Sequence, residues 1–281
     1  MNIITVNVGQ GSFFIVRHNK EAIIVDSRIP PSDDKTVAYV KEMLAVALKD
    51  HYVKGLILTG FDCDHCEIVG ASIILIKYRP DWVMYPKYFK ESDEAKAVFK
   101  LIAEQEALRR NSTKPLKRIS VRLDHLERRQ LNDLDLSSNF DFELFSPHIE
   151  DMDCSNNCSI VLKLTGKGVG GFSYLITGDT ENDRWEVISK FFGNSLKSHI
   201  LAAPHHGSKN ATHPASLLYI DPHTVLISAG VDNQYGHPDP EALRVYGRVA
   251  KSVFSTNMQK GVSLFTRLGS AGFSTELIPS N

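Results

Sequence analysis

Short apolar runs separated by glycine and polar turns dominate the start of the chain. Residues 3–7 and 12–17 flank Gly9-Gln10-Gly11, a pattern typical of a β-hairpin. Residues 21–26 predict a third strand, which ends in an acid. Residues 36–49 instead carry apolar side chains every three or four positions, which predicts an amphipathic helix.

The same alternation of strand-like and helical patterns continues to the end of the chain. Two strand-rich halves, each followed by helices, predict two sheets with helices outside, and residues 253–278 are expected to close the sheet. Further predicted strands cover residues 53–58, 82–86, 141–146, 159–164, 172–177, 199–203, 224–229, 253–256, 262–266 and 275–278. A further helix begins with residues 70–71 and 73–76, and others cover 91–110, 182–192, 215–219 and 240–249.

Composition supports a folded protein without a membrane segment. The 281 residues are 42% hydrophobic and 9% aromatic, enough for a substantial core. The net charge of −1 gives no overall attraction to a polyanion. The N-terminus reads as a strand and not as a signal peptide, and the longest apolar run, residues 68–78, is shorter than the roughly 18 residues of a spanning helix. We therefore expect a cytoplasmic protein.

Ligand-type side chains follow several of the predicted strands. Asp62, Asp64 and His65 come directly after the strand at 53–58, and crowded carboxylates are costly unless a cation neutralises them. Asp179, His205, His206 and His237 follow later predicted strands, and each of them alone would be an ordinary turn residue. Together they predict a metal centre, and mixed imidazole and carboxylate ligation suits zinc or manganese.

The four cysteines permit two interpretations. Cys63 and Cys66 are separated by two residues and Cys154 and Cys158 by three, which could indicate a zinc knuckle. The first pair brackets Asp64 and His65, so a separate zinc site would compete for the same loop. Free thiols in a reducing compartment are therefore the favoured interpretation.

A local excess of positive charge lies between residues 109 and 130. Eight Lys or Arg residues stand against Asp124 and Glu127 there. Such a run is usually a solvated face, but it could also contact a phosphate backbone beside the site.

Seven short motifs follow one another along nearly the whole chain. They are residues 6–12 (VNVGQGS), 23–27, Asp62-x-Asp64-His65, Asn156-Asn157-x-Ser159, Thr177-Gly178-Asp179, residues 204–208 (PHHGS) and residues 235–238 (YGHP). In this order they resemble the metallo-β-lactamase superfamily, in particular the hydrolase domain of bacterial competence DNA-uptake channels. The resemblance implies an α/β fold, an αββα sandwich of two mixed sheets packed face to face with helices outside. We expect a single domain over residues 1–281, with a helical and basic insert at about 90–140.

The resemblance also implies an incomplete pair of metal sites. The family motif opens with a histidine where this chain has Gly60, and Asn157 stands near another first-site histidine position. The first site keeps Asp62 and a bridging Asp179. The second site keeps Asp64, His65, Asp179 and either His205 or His206. One well-held divalent ion, Zn²⁺ or Mn²⁺, is expected, with a second weak or absent; Cys63 or Cys158 remains open as a substitute ligand.

The expected function is metal-dependent hydrolysis of a phosphodiester, as in a nuclease, through a metal-bound hydroxide. Asp62 and Asp64 belong to the catalytic centre, where Asp62 would orient the hydroxide, and His206 or His237 would protonate the leaving oxygen. Nucleic acid or another phosphodiester is the expected partner, together with a protein encoded nearby in a bacterial genome. The expected substrate-binding residues are Ser208, Lys209, Asn157 and His237.

Two alternative functions remain open. The loss of the histidine at Gly60 favours a catalytically degenerate member that acts as a binding or regulatory subunit. Hydrolysis of a small ester, lactam or thioester is the third possibility.

Overall fold

The computed structural model describes residues 1–88, 90–125 and 127–280, with the backbone alone at 152 and 153. Within these residues the strands are β1 (Asn2–Thr5), β2 (Phe14–His18), β3 (Glu21–Val25), β4 (Tyr52–Ile57), β5 (Trp82–Pro86), β6 (Lys117–Val121), β7 (Arg129–Gln130), β8 (Phe140–Ser146), β9 (Val161–Gly166), β10 (Ser173–Ile176), β11 (Ile200–Ala202), β12 (Thr224–Ile227), β13 (Ser252–Ser255), β14 (Val262–Gly269) and β15 (Gly272–Pro279). The α-helices are α1 (Asp34–Ala47), α2 (Ile68–Ser72), α3 (Asp93–Arg109), α4 (Asn182–Phe192), α5 (Pro214–Ile220) and α6 (Pro240–Val249), and a π-helical segment, Ile73–Tyr78, continues α2.

The strands form two mixed sheets. The first has the order β15-β14-β1-β2-β3-β4-β5-β6, in which β3 to β6 run parallel and the remaining pairs are antiparallel. The second has the order β13-β12-β11-β10-β9-β8-β7, in which β10 to β13 run parallel. Each sheet therefore has a set of neighbouring strands whose carboxyl ends share one edge.

The alternation of side chains along the strands builds three apolar layers. In β2, Phe14 and Val16 face the core between the two sheets, whereas Ile15 faces the helices. The outer face of the first sheet packs against α1, α2 and α3, and that of the second sheet packs against α4, α5 and α6. The architecture is the αββα sandwich that the sequence predicts.

The helices begin where polar side chains satisfy their first backbone N–H groups. Asp33 accepts hydrogen bonds from the backbone N–H groups of Lys35 and Thr36, both at 3.1 Å, at the start of α1. Glu67 does the same for α2, which follows the acidic loop after β4. This cap fixes the exit of the loop that carries Asp64 and His65.

Two details of the strand prediction are wrong. Residues 253–278 do not close one sheet, because β13 is the edge of the second sheet while β14 and β15 return to the edge of the first. The strand β6 lies within the basic segment and was not predicted, since its sequence, Lys-Arg-Ile-Ser-Val, buries only Ile119 and Val121.

Most of the basic residues at 109–130 are engaged within the protein. Arg109 is buried and donates hydrogen bonds to the backbone carbonyls of Lys114, Pro80 and Pro115. Arg118 pairs with Glu106 at 2.8 Å, and Arg128 pairs with Glu143 at 2.7 Å. Arg122 and Arg129 also face carboxylates, those of Asp124 and Asp133. This pairing argues against a broad phosphate-contact surface in this segment.

No helix among the described residues combines the length and the apolar character that crossing a membrane requires.

Candidate metal centre

Four side chains from different strand ends converge at one edge of the two sheets. Asp64 and His65 follow β4, Asp179 follows β10, and His206 follows β11. One ligand atom from each lies within 4.8 Å of the others. Asp64 is half-buried and the other three are buried. Of the two adjacent histidines, His206 belongs to this cluster and His205 does not.

The carboxylate of Asp26, which lies outside the four-residue cluster, orients the ring of His65. Nδ1 of His65 lies 2.8 Å from Oδ2 of the buried Asp26, which follows β3. Asp26 also accepts hydrogen bonds from the backbone N–H of Thr59 at 2.7 Å and from its hydroxyl at 2.9 Å. Because Nδ1 is engaged in this way, Nε2 of His65 is directed at the cluster.

The ring of His206 is fixed by the same principle with a backbone partner. Its Nδ1 lies 2.8 Å from the carbonyl oxygen of Ser228, to which it donates, and its Nε2 faces Asp64. Both His205 and His206 adopt left-handed backbone angles, with φ of 48° and 56°. This conformation is uncommon outside glycine, so surrounding packing must hold it.

Asp179 is placed by a close approach of the backbone to Ser159. The backbone N–H of Asp179 donates to Oγ of Ser159 at 2.9 Å. A Cβ at Gly178 would lie 2.7 Å from Ser159, and its φ of 52° also favours glycine. Oδ1 of Asp179 lies 2.8 Å from Nε2 of His65 and 3.7 Å from Nε2 of His206.

The electrostatics of the cluster favour positive charge. Burial opposes ionisation of His65, but the carboxylates of Asp179 and Asp26 raise its pKa well above the ordinary value. Burial likewise opposes ionisation of Asp64 and Asp179, and the histidines nonetheless lower the pKa of both carboxyls. The cluster thus stabilises ionised carboxylates around a point that attracts a cation.

The residues fit a divalent metal ion. Nε2 of His65, Oδ1 of Asp179 and Nε2 of His206 are buried atoms without a hydrogen-bond partner. The first two are close, but their arrangement lacks hydrogen-bond geometry. Buried polar atoms without partners are costly, and coordination to an ion would satisfy all three together. Two imidazoles and two carboxylates suit zinc or manganese.

The cluster opens into a polar pocket of about 360 Å³. Its lining consists of Gln10, Arg28, Asp62, Cys63, Asp64, Asn156, Asp179, His205, His206, Gln234, Tyr235 and His237. A larger cavity of about 670 Å³ lies elsewhere, between α1 and strands β1, β14 and β15, and its lining is mainly apolar. Its lining contributes none of the residues of the ligand cluster found among the described residues. The polar pocket is therefore the candidate active site.

Asp62, His205 and His237 line this pocket outside the four-residue cluster. The carboxylate of Asp62 contacts the ammonium group of Lys90. Nε2 of His205 lies 3.9 Å from Oδ2 of Asp179, the oxygen other than the one facing His65. The ring of His205 is 5.7 Å from that of His237. Asp179 therefore faces the cluster with Oδ1 and faces His205, outside the cluster, with Oδ2.

Three predicted substrate-binding residues do not line the pocket. Asn157 is engaged with Asp183 through Nδ2 at 3.1 Å and with the backbone N–H of Glu181 at 3.0 Å. Oγ of Ser208 accepts from the backbone N–H of Asn210, so it caps the following turn. Lys209 is exposed. Asn157 and Ser208 therefore hold the loops around the site.

The cysteines form neither a disulfide nor a part of the ligand cluster among the described residues. Cys66 and Cys158 are buried, the thiol of Cys158 donates to the carbonyl of Asp151 at 3.0 Å, and Cys63 lines the pocket. Burial raises the pKa of the Cys63 thiol, and the nearby Asp64 raises it further.

Several residues that line the pocket or contact the cluster were not predicted from the sequence. Asp26 ends a predicted strand, and an acidic residue at a strand end could have indicated a role at the site. Arg28, Gln10 and Asn156 lie in or beside the motifs but received no role. Tyr235 belongs to the same motif as His237, and its place at the pocket becomes visible only in the fold.

Comparisons with known proteins agree with this architecture. The chain is 29% identical to ComE operon protein 3 of Bacillus subtilis (strain 168) over 202 residues, which are 72% of this chain and 23% of that protein. It therefore spans less than a quarter of that relative. No protein-family model matches the chain.

A solved structure, that of Igni18, has a similar fold at low sequence identity. Igni18, a metallo hydrolase from the archaeon Ignicoccus hospitalis KIN4/I, superposes with a TM-score of 0.54 and 13% identity, covering 94% of this chain and 98% of that one. BLEG-1 B3 metallo-β-lactamase matches with a TM-score of 0.35 and 14% identity, covering 78% and 83%, which is too distant to carry an argument. The chain has the metallo-β-lactamase fold, and it resembles the hydrolases of that superfamily and, in sequence, ComE operon protein 3.

Proposed function

We propose that this chain is a metal-dependent phosphodiesterase that cleaves nucleic acid. The observation that carries the proposal is the convergence of Asp64, His65, Asp179 and His206 within 4.8 Å at the floor of an open polar pocket. Three of the ligand atoms are buried and lack a well-aligned hydrogen bond, although carboxylate and imidazole groups lie close to one another, and coordination to an ion would satisfy them together.

In this proposal the four residues of the cluster hold one divalent ion, zinc or manganese. When bound, such an ion polarises a phosphoryl oxygen and lowers the pKa of a water toward about 7. The protein positions that chemistry: Asp26 and the Ser228 carbonyl keep both imidazole rings in place through their Nδ1 atoms. An ion that is held in this way needs little rearrangement when substrate arrives.

The remaining lining residues act on the substrate. Asp62 accepts a hydrogen bond from the attacking water and so orients it. Of the two imidazoles expected to serve the leaving oxygen, His206 faces the cluster, so we assign to His237 the hydrogen bond to the phosphoryl or leaving oxygen. Arg28 adds a positive charge at the pocket wall for a phosphate.

A second candidate function is binding without catalysis, as a regulatory subunit. Gly60 offers no ligand, and Asp62 is paired with Lys90, so the half-site next to Asp179 is incomplete. ComE operon protein 3 is, by its name, an operon product, and we extend this to a protein partner encoded near this chain.

The test uses metal-stripped protein with Mn²⁺ or Zn²⁺ restored, and single- and double-stranded DNA, a β-lactam and an aryl ester as substrates. The proposal expects cleavage of DNA that EDTA abolishes and that Asp179→Ala reduces to background. Asp221→Ala, an exposed carboxylate paired with Lys197, is the matched control and should keep full activity. Metal and DNA binding without cleavage would favour the regulatory subunit, and cleavage of the lactam or ester alone would overturn the proposed substrate.

A further inference from the structure

An exposed tyrosine stands at the mouth of the candidate active site. Tyr235 lines the pocket, and 59% of its surface is exposed. Its ring is nearly parallel to that of His237, with an interplanar angle of 18° and centroids 6.0 Å apart. The pocket therefore has a flat aromatic surface at its rim, beside the imidazole that faces the substrate in the proposed function.

The loop that carries Tyr235 is fixed by its own hydrogen bonds. Oδ1 of Asn233 accepts from the backbone N–H groups of Tyr235 at 3.2 Å and of His237 at 3.1 Å. Nδ2 of Asn233 donates to the carbonyl of Gly230 at 2.9 Å, and the N–H of Gly230 donates to Oε1 of Gln10 at 3.2 Å. The side chain of Asn233 therefore fixes the backbone of this loop, so ligand binding at the Tyr235 ring should cost little backbone conformational entropy.

A guanidinium group without an acidic partner lies in the same pocket. Among the described residues, no carboxylate oxygen lies within 4.0 Å of the charged nitrogens of Arg28. Its Nη1 donates to the carbonyl of Cys63 at 3.3 Å, and its buried Nε has no hydrogen-bond partner. The side chain packs against Gly11, where a Cβ would lie 2.4 Å from Cγ of Arg28. Lys90, by contrast, is already paired with Asp62. Arg28 is therefore the lining cation that remains available for a phosphate.

We propose that the pocket binds single-stranded nucleic acid, with one unpaired base stacked on Tyr235 and a neighbouring phosphate on Arg28. This inference rests on the proposed function and names its substrate class. In a duplex, both faces of each base are covered by neighbouring bases, so only an unpaired, splayed base offers a face to a tyrosine at the rim. Stacking tolerates any base, so the site selects strandedness and not sequence.

The experiment compares variants on oligomers of equal length with Mn²⁺. The substrates are oligo(dT), oligo(U), a duplex, and an abasic oligomer that keeps the phosphates but has no bases. Tyr235→Ala should lower kcat/KM on oligo(dT) or oligo(U) about 5- to 150-fold, the loss expected for one base–aromatic stack, and should leave the abasic oligomer unaffected. Tyr235→Phe keeps the ring and should stay near the wild-type value. Arg28→Gln should lower kcat/KM on both the base-bearing and the abasic oligomers, because its contact is to phosphate.

Equal losses for Tyr235→Ala on base-bearing and abasic oligomers, or no loss on either, would overturn the inference. So would a preference of the wild type for the duplex. The ratio of the wild-type kcat/KM values on oligo(dT) and oligo(U) shows whether DNA or RNA is the better substrate.

Binding measured by the fluorescence of 2-aminopurine in the oligomer, with EDTA present, provides a readout independent of turnover. Quenching that depends on the ring at position 235, without cleavage by the wild type, would support the binding site while the proposed hydrolysis fails. Cleavage without any such dependence would support the hydrolysis while the inference fails.

Discussion

Nδ1 of His65 lies 2.8 Å from Oδ2 of Asp26, and this contact joins the ends of two neighbouring parallel strands, β3 and β4. Asp26 is buried and is held in turn by Thr59, whose backbone N–H and hydroxyl both donate to it. A carboxylate in this position fixes the tautomer of the imidazole and makes its other nitrogen a better ligand. Asp26 is therefore a positioning residue of the candidate metal centre.

Replacing Asp26 with asparagine should weaken metal binding without removing a ligand. The amide keeps the shape but loses the charge that supports Nε2 of His65, so the dissociation constant for Mn²⁺ or Zn²⁺ should rise by about 10- to 100-fold. Calorimetric titration of metal-free protein measures this. Asp50→Asn, at an exposed carboxylate, is the control and should bind like wild type. An unchanged affinity in Asp26→Asn would show that the contact to His65 does not support the ligand.

Gly60→His should strengthen a second metal site. A Cβ at Gly60 would meet only Ser159 Oγ, 3.9 Å away, so the backbone leaves room for a side chain there. The imidazole would join Asp62 and the Oδ2 side of Asp179. Stoichiometry at saturating metal should rise from one ion toward two, as measured by elemental analysis after gel filtration.

Gly60→Ala adds a Cβ without a ligand and should keep one ion. Because Lys90 pairs with Asp62, adding Lys90→Gln to Gly60→His should raise the affinity of the second ion further. A stoichiometry that stays at one in both histidine variants would contradict the placement of Gly60 beside a second site.

Arg109→Gln should destabilise the fold. The guanidinium is buried and donates to the backbone carbonyls of Pro80, Lys114 and Pro115, which would lose their partners. The free energy of unfolding should fall by about 2–5 kcal/mol. Urea denaturation measures this, and Arg110→Gln, at the exposed neighbouring position, should change it by less than about 0.5 kcal/mol. Equal changes in the free energy of unfolding for the two variants would contradict a structural role of Arg109.

Stability should respond to pH through His148, which lies far from the cluster in the sequence. Burial and the guanidinium of Arg184 lower the pKa of His148 to about 4. An unfolded histidine has a pKa of about 6.5 and binds the proton more readily. The contribution of this group to the free energy of unfolding is therefore complete above pH 6.5 and is lost as pH falls toward 4, by at most about 1.4 kcal/mol per pH unit.

The measurement compares urea denaturation of the wild type and His148→Asn between pH 7 and pH 4. Burial raises the pKa of Asp151 to about 6, and this group changes stability in the opposite sense over the same range. The contribution of His148 is therefore the difference between the two proteins, and the wild type should lose more stability than the variant on acidification. Parallel curves would contradict a depressed pKa at His148.

Much of the fold follows from local patterns, whereas its assembly depends on long-range pairing. The helix at residues 240–249 was predicted with the observed bounds, since Pro240 begins it and its apolar spacing is regular. The return of β14 and β15 to the first sheet was not predictable, because pairing of β1 with β14 joins positions such as Asn2 and Arg267 across almost the whole chain.

The candidate site likewise combines features that local sequence motifs indicate with features that depend on long-range contacts. The motifs identified the residue types, but choosing between His205 and His206 required the backbone geometry, which directs only Nε2 of His206 toward Asp64. Neither the burial of Arg109 nor the role of Asp26 could be read locally, because their partners lie on other elements. Asn157 and Ser208 have hydrogen-bonding side chains suited to a substrate, but in the fold they hold neighbouring loops.

The central claim is that Asp64, His65, Asp179 and His206 hold one divalent ion. The most direct measurement is a calorimetric titration of metal-free protein with Mn²⁺ and with Zn²⁺, made on the wild type, on Asp64→Ala, on Asp179→Ala and on the exposed control Asp221→Ala. One tight site is expected in the wild type and the control, and both cluster variants should lose that site while their melting transitions are retained. Tight binding of one ion by Asp64→Ala and Asp179→Ala, or no tight binding by the wild type, would contradict this claim.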